Sequence, residues 1–178
     1  MILRLLRRRN ARATIERLYG AIVARSRDPA FYTRYAVPDT VQGRFEMIVL
    51  HAFLLFHRLK SEPEERRELG QGVFDAFCRD MDANLREMGV GDLTVPKKMK
   101  RVGEAFYGRA GAYDAALADP EGAELAQALA RNVYAGTAEP DAPAALAAYM
   151  KRAVDALAQE PFETFARGEL PLPSPEDA

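Results

Sequence analysis

Apolar residues recur along most of this chain at three- and four-residue steps, and no stretch of useful length alternates apolar with polar. The pattern therefore predicts helices and no strands. A first helix is expected from about Ala11 to Ser26, with Ile15, Leu18, Tyr19 and Ile22 toward one face, stopped by Asp28-Pro29. The aromatic run Phe31, Tyr32 and Tyr35 then wraps onto a core before Val37-Pro38 turns the chain. Asp39 or Thr40 can cap the next helix, VQGRFEMIVLHAFLLFHRLK. That segment is apolar around most of its circumference, which marks it as the buried central helix. A third helix from Pro63 to Met88 repeats Phe74, Phe77, Met81, Leu85 and Met88 and ends at Gly89-Val90-Gly91. A fourth carries Met99, Val102, Phe106, Ala110, Tyr113 and Leu117 on one stripe. Pro120 opens a fifth with Leu125, Leu129, Asn132 and Val133, and Pro143 a sixth with Leu146, Met150, Ala153 and Leu157. Pro161-Phe162 starts a short terminal turn. The expected fold is all-α, one bundle of about six to eight helices without a sheet. It occupies 13–168, between a basic segment at 1–12 and a proline-rich extended tail at 169–178.

The fourth helix begins with charges of the wrong sign. In Thr94-Val95-Pro96-Lys97-Lys98-Met99-Lys100-Arg101, a hydroxyl N-cap and an early proline announce a helix start, yet Lys97, Lys98, Lys100 and Arg101 crowd its first turns. The helix dipole makes that end positive, so each exposed cation there is disfavoured by roughly 0.3–1 kcal/mol. Three of the five lysines of the chain sit in this stretch, which points to a negative partner: an acidic segment, ribosomal RNA or anionic lipid. Farther along, Gly103, Gly108 and Gly111 each cost about 1 kcal/mol relative to alanine. With Ala112 and Ala115, Gly108 and Gly111 make a side-chain-poor strip, which either receives another backbone at close range or lines a groove; close packing is the simpler expectation.

Composition narrows the function classes. A chain of 178 residues with 48% hydrophobic content can bury one sizeable core. Its net charge of −1 conceals an acid-free start bearing Arg4, Arg7, Arg8, Arg9 and Arg12, which is a solvated terminus, a segment lying on an anionic membrane or nucleic-acid surface or, with little removable length before helical patterning resumes by Thr14, a mitochondrial import sequence. Neither an export signal nor a membrane span is expected: the longest apolar run, Met47 to Phe56, is shorter than the ~20 residues needed to cross a bilayer. The single Cys78 excludes an intramolecular disulfide and reads as a core cysteine. His51 and His57 lie on one helix but point about 240° apart, so they share no metal by local spacing. No zinc or di-iron pattern occurs, and Asp75, Asp80 and Asp82 are interleaved with Arg79 and Arg86 as on a solvated, ion-paired face. The cations near Lys97 lack adjacent aromatics for base stacking, so sequence-specific DNA binding is not expected. An enzyme reading rests on His51 within an apolar helix, acting on a lipid or quinone-like substrate.

Three ordered blocks carry a resemblance. GRFEMIVLHAFLLFHRLK, then GVFDAFCRDMDANLREMGVGDLTVPKKMKRVGEAFYGRAGAYDAAL and ALARNVYAG, together resemble the ubiquinol–cytochrome c chaperone family over about Phe31 to Gly136. The resemblance implies an all-helical assembly factor of respiratory complex III. Mitochondrial members associate with a small partner protein, sit near the ribosomal exit and hold newly made cytochrome b. It implies no catalytic residue and no tightly held cofactor, and the absence of ligand-spacing patterns leaves no metal site expected. The family's marks fall on Phe45, His51 and Arg58, on Phe77, Asp80 and Met81, on Lys97 through Arg101, and on Gly111, Tyr113 and Asp114. The short N-terminal extension and the proline-rich tail depart from the mitochondrial pattern and favour a bacterial-type member working in the cytoplasm beside the plasma membrane; a mitochondrial one would work at the matrix face. The expected client-binding residues are Lys97, Lys98, Lys100, Arg101, Gly108, Gly111 and Tyr113, and Arg4, Arg7, Arg8, Arg9 and Arg12 are the expected membrane-surface residues. The other reading of the same patches is a peripheral membrane or ribosome- and RNA-binding adaptor.

Overall fold

The apolar helix α3 (Val41–Leu59) runs through the middle of the molecule, buried from Glu46 to Leu55 without interruption. Thr40 provides its cap, its Oγ1 accepting from the Gly43 N–H at 3.0 Å, while Asp39 instead pairs with Arg44. Gly43 is required there, since a Cβ would stand 1.9 Å from the Pro38 carbonyl oxygen. The computed structural model describes residues 2–176, and side chains over 10–176. Among them eight helices form: α1 (Ile2–Ser26), α2 (Pro29–Thr33), α3, α4 (Glu64–Glu87), α5 (Val95–Ala116), α6 (Ala123–Asn132), α7 (Ala142–Gln159) and α8 (Phe162–Ala166). Helices α1, α4, α5 and α7 surround α3, and α6 bridges α5 to α7. No strand occurs among the described residues.

Helix α1 starts at Ile2, well ahead of the expected Ala11. Its first part has no clear apolar stripe, but leucine, arginine and alanine are strong helix formers, and no glycine or proline interrupts them. The basic segment is thus continuous with α1. Thr14, Leu18, Ile22 and Ser26, at strict four-residue steps, form its buried face. On α4 the close approach falls at Gly72, where a Cβ would lie 2.3 Å from the Ile15 side chain of α1. The Tyr19 hydroxyl, donating to Asp80 at 2.6 Å, ties the same two helices, so Asp80 is a structural anchor rather than part of a solvated face.

Residues 169–174 form neither helix nor strand, 175–176 turn, and the segment lies against the bundle. Leu172 is buried, the Tyr35 hydroxyl donates to the Pro175 carbonyl at 2.9 Å, and Arg34 donates to the Glu176 carbonyl at 2.8 Å. Thr14 and Arg17 of α1 likewise hold the carbonyls of Ala166 and Arg167. These bonds satisfy backbone groups at the end of α8 that no helix turn can reach.

Candidate functional site

The apolar stripe of α4 leaves the core before the helix ends. Val73 and Phe77 are fully buried and Met81 and Leu85 partly so, whereas Met88, at the C-cap, is 60% exposed. At the same end, Val41, Phe45 and Ile48 come from the start of α3, and Val102 and Ala105 from the first half of α5. These side chains border a groove of about 590 Å³ open to solvent. That volume lies within the range of about 300–1,000 Å³ usual for sites that take an apolar ligand. Two of its walls are methionines, whose unbranched, polarizable side chains repack around differing partners.

The groove has a charged floor and rim. Glu46 is wholly buried, and Arg109 grips it with two bonds of 2.6 Å, Nε to Oε2 and Nη2 to Oε1. Gln42 donates a third bond, also 2.6 Å, to Glu46 Oε1. Pairing with Glu46 raises the Arg109 guanidinium above its ordinary pKa, which keeps the cation in place at the groove. On the rim, Arg44 is engaged with Asp39 at 2.7 Å, whereas Arg101 has no acid within ion-pair distance among the described residues. The groove thus presents apolar walls and one uncommitted cation. Such a surface suits an amphipathic helix or an apolar segment with an acidic flank.

The expected site residues separate into three places. Lys97, Lys98 and Lys100 are exposed on the first turns of α5, Lys100 reaching Glu104 at 3.8 Å; Arg101 alone of the cluster lines the groove. Thr94 makes no side-chain cap bond, contrary to expectation, so this helix start carries its cations without a compensating acceptor from its own cap. Gly108 and Gly111 are exposed, and a Cβ on either, or on Gly103, would meet nothing within 4 Å. The expected close packing of that strip is not found, and the strip lies on open surface outside the groove. Tyr113 is fully buried against Phe53, with ring centroids 5.6 Å apart, so it supports α5 from beneath rather than touching a partner. Arg12 is exposed and pairs with Glu16 at 2.8 Å; the side chains of Arg4, Arg7, Arg8 and Arg9 lie outside the described residues.

Sequence reasoning assigned Phe45, Met81, Leu85 and Met88 to the core or to family marks and missed their common groove. The signal available was the length of the α4 stripe, which runs to Met88 and outlasts what α1 and α3 can cover.

His51 sits at the opposite side of α3 from α4 and α5. It is fully buried, bonded through Nδ1 to the Met47 carbonyl at 2.8 Å and through Nε2 to the Tyr149 hydroxyl at 3.1 Å. The carbonyl requires Nδ1 to carry the proton, leaving Nε2 to accept from Tyr149. Burial pushes its pKa down to about 4, so it is neutral at physiological pH. The ring is sealed from solvent and meets no dissolved substrate. Cys78 is half-buried with its thiol pushed up by burial, and no group of three or more potential metal ligands occurs among the described residues. No described helix is long and apolar enough to cross a membrane.

Comparison with known proteins places this geometry. A model of the ubiquinol–cytochrome c chaperone family matches residues 33–172. Ubiquinol-cytochrome-c reductase complex assembly factor 1 of Xenopus laevis is 26% identical over 117 residues, covering 66% of this chain and 58% of that protein. The human protein of the same description is 28% identical over 119 residues, covering 66% of this chain and 39% of its own length. The chain spans less than two thirds of the curated relatives it matches. The crystal structure of the Cbp3 homolog from Brucella abortus superimposes with a TM-score of 0.88 at 41% identity, covering 99% of each chain.

Proposed function

This chain belongs to the ubiquinol–cytochrome c chaperone family, and from that membership and its open groove we propose a non-enzymatic assembly factor that holds newly made cytochrome b during assembly of the ubiquinol–cytochrome c reductase complex. The groove between α3, α4 and α5 is the observation that carries the reading. Cytochrome b is a membrane protein, and its apolar helices are exposed to water until they are inserted and packed. Each leucine-sized side chain moved from water into the groove contributes roughly 1.5–3 kcal/mol. Several such contacts hold a segment firmly, yet the open mouth allows it to leave. Arg101 meets an acidic flank of the client and sets its direction, while the Arg109–Glu46 pair, already neutralised, makes no such demand. Work of this kind takes place beside the membrane that receives cytochrome b, the inner face of the plasma membrane in a bacterium.

Site-directed crosslinking tests the proposal. A photoreactive residue at Leu85 or Met88, in the full chain added to membrane-coupled translation of cytochrome b, is expected to capture the new polypeptide. The same residue at exposed Glu139 is expected to capture none. Absence of cytochrome b from both groove positions, with the variants folded, would overturn the reading.

A further inference from the structure

Of the four large apolar side chains exposed among the described residues, three gather at one end of the bundle: Val41 at 75%, Met88 at 60% and Leu93 at 98%. Leu93 stands in the turn between α4 and α5, and that turn is braced. Gly89 adopts φ +81°, the left-handed conformation that lets its N–H reach the Arg86 carbonyl at 2.9 Å and the Val90 N–H reach that of Leu85 at 3.0 Å. The Thr94 N–H then closes onto the Gly91 carbonyl at 2.8 Å, and the Arg86 guanidinium binds both Asp82 and Asp92. Leu93 is therefore held out in water by a bonded turn, at full hydrophobic disadvantage.

The cations that follow share that end. Lys97 and Arg101 are four residues apart and Lys98 adjoins them, so the three lie on neighbouring positions of the first two turns of α5. None of the three has an ion pair among the described residues, and Lys100 has only the long contact to Glu104. The two acids of the turn region that sit closest in sequence differ: Asp92 is already taken by Arg86, and Glu87 is a single charge against four. Arg101 and Met88 both border the groove, which joins the cationic face to the apolar mouth.

From this juxtaposition we propose that the α4–α5 turn docks on an anionic lipid surface, with Leu93 entering the headgroup region beside Met88, with Lys97, Lys98 and Lys100 on lipid phosphates, and with Arg101 left at the groove mouth behind them. A bilayer interface takes both halves of the patch, an aliphatic tip and a cluster of cations. Ribosomal RNA would take the cations but offers nothing to an aliphatic tip, and no aromatic side chain for base stacking occurs from Arg86 to Ala105. Docked in this way, the groove opens toward the membrane surface. The proposal goes beyond client binding and does not require it.

Sedimentation of the full chain with lipid vesicles tests it. Binding is expected to phosphatidylglycerol-containing vesicles and not to phosphatidylcholine alone, weakening as salt rises. Reversal of the three lysine charges, Lys97→Glu, Lys98→Glu and Lys100→Glu together, is expected to lower binding at least tenfold. Leu93→Asp, at a side chain with no packing to lose, is expected to lower it several-fold while the helical circular dichroism stays unchanged. Binding that survives both variants overturns the proposal, as does binding that needs the charges but ignores Leu93. Capture of single-stranded RNA in preference to vesicles, indifferent to Leu93, would assign the patch to nucleic acid and overturn it too. So would loss of vesicle binding on replacing Arg4, Arg7, Arg8 and Arg9 by glutamine if the turn variants still bound. Because no client is present, these outcomes are separate from the crosslinking result.

Discussion

The two sides of α3 carry similar apolar material and use it in opposite ways. Toward α1, α2 and α7, Phe31, Tyr35 and Tyr149 close around His51, with Phe31 and Tyr149 ring centroids 4.9 Å apart, and the imidazole finds a partner for each nitrogen. Toward α4 and α5, Phe45 and Ile48 border an open groove lined by Arg109, which is paired with the buried Glu46 behind it. The first side is stabilised by close packing around a satisfied polar group: Phe31, Tyr35 and Tyr149 are buried and both imidazole nitrogens are bonded. The second is left incomplete: Met81 and Leu85 on α4 and Val102 on α5 are only partly buried, and Met88 is exposed. Exposed apolar surface here reflects how three helix ends meet, and composition alone would not locate it.

The contrast can be broken most severely at Arg109. Arg109→Met strands Glu46 as a buried charge, and a loss of about 3–5 kcal/mol is expected in urea unfolding. Replacing Glu46 by leucine in the same chain should recover most of that loss, since a well-packed apolar pair is often as stable as a buried ionic one.

On the other side of α3, acid should act first through His51. Its folded pKa, about 4, lies below its unfolded value of 6.5, so the unfolded chain binds the extra proton between these limits. The stability it secures is complete above pH 6.5 and drains away as pH falls toward 4, a loss on the order of 3 kcal/mol. Unfolding midpoints of His51→Gln should be flatter across that window, although the variant is less stable at neutral pH. Carboxylates held below their usual range by partners, such as Asp114 beside Lys60 and Asp119 under the amides of Glu124 and Glu121, keep their contribution until lower pH.

Smaller effects sharpen the distinction. Gly108→Ala and Gly111→Ala should each raise stability by about 1 kcal/mol, because the added methyl meets nothing in the folded chain and helix propensity improves. A thermal shift downward would show that something packs on that face. Met88→Glu should change stability by no more than about 0.5 kcal/mol, as expected for an exposed site. The same variant should reduce crosslinking of cytochrome b from Leu85, which separates a recognition surface from a structural one.

Most of the helices were legible in the sequence because periodicity and breakers agreed: Asp28-Pro29, Gly89-Val90-Gly91 and Pro143 fall at real boundaries. The start of α1 was not, because a basic helix without a clear stripe gives no period to read. The cationic cluster stood out in the sequence by opposing the helix dipole; Lys97 and Lys98 are exposed, and of the cluster Arg101 alone lines the groove. The glycines of α5 misled, since a glycine records only that a side chain is missing. Close approach occurs instead at Gly43 and Gly72, which looked unremarkable in the chain. Tyr113 shared the family's pattern yet lies in the core, for a family mark can be preserved by packing as readily as by contact. The groove escaped because it depends on three helix ends meeting, a relation that no local pattern contains.

The Arg109–Glu46 clamp has a kinetic consequence. An apolar cleft tends to shut on itself, but closing this one would require α5 to slide against α3 and pull apart a doubly bonded pair anchored in the interior. The cleft therefore stays ajar, and under the proposed function a client would need no prior opening step. Its capture would then be set by encounter and orientation alone, with no conformational change to slow it.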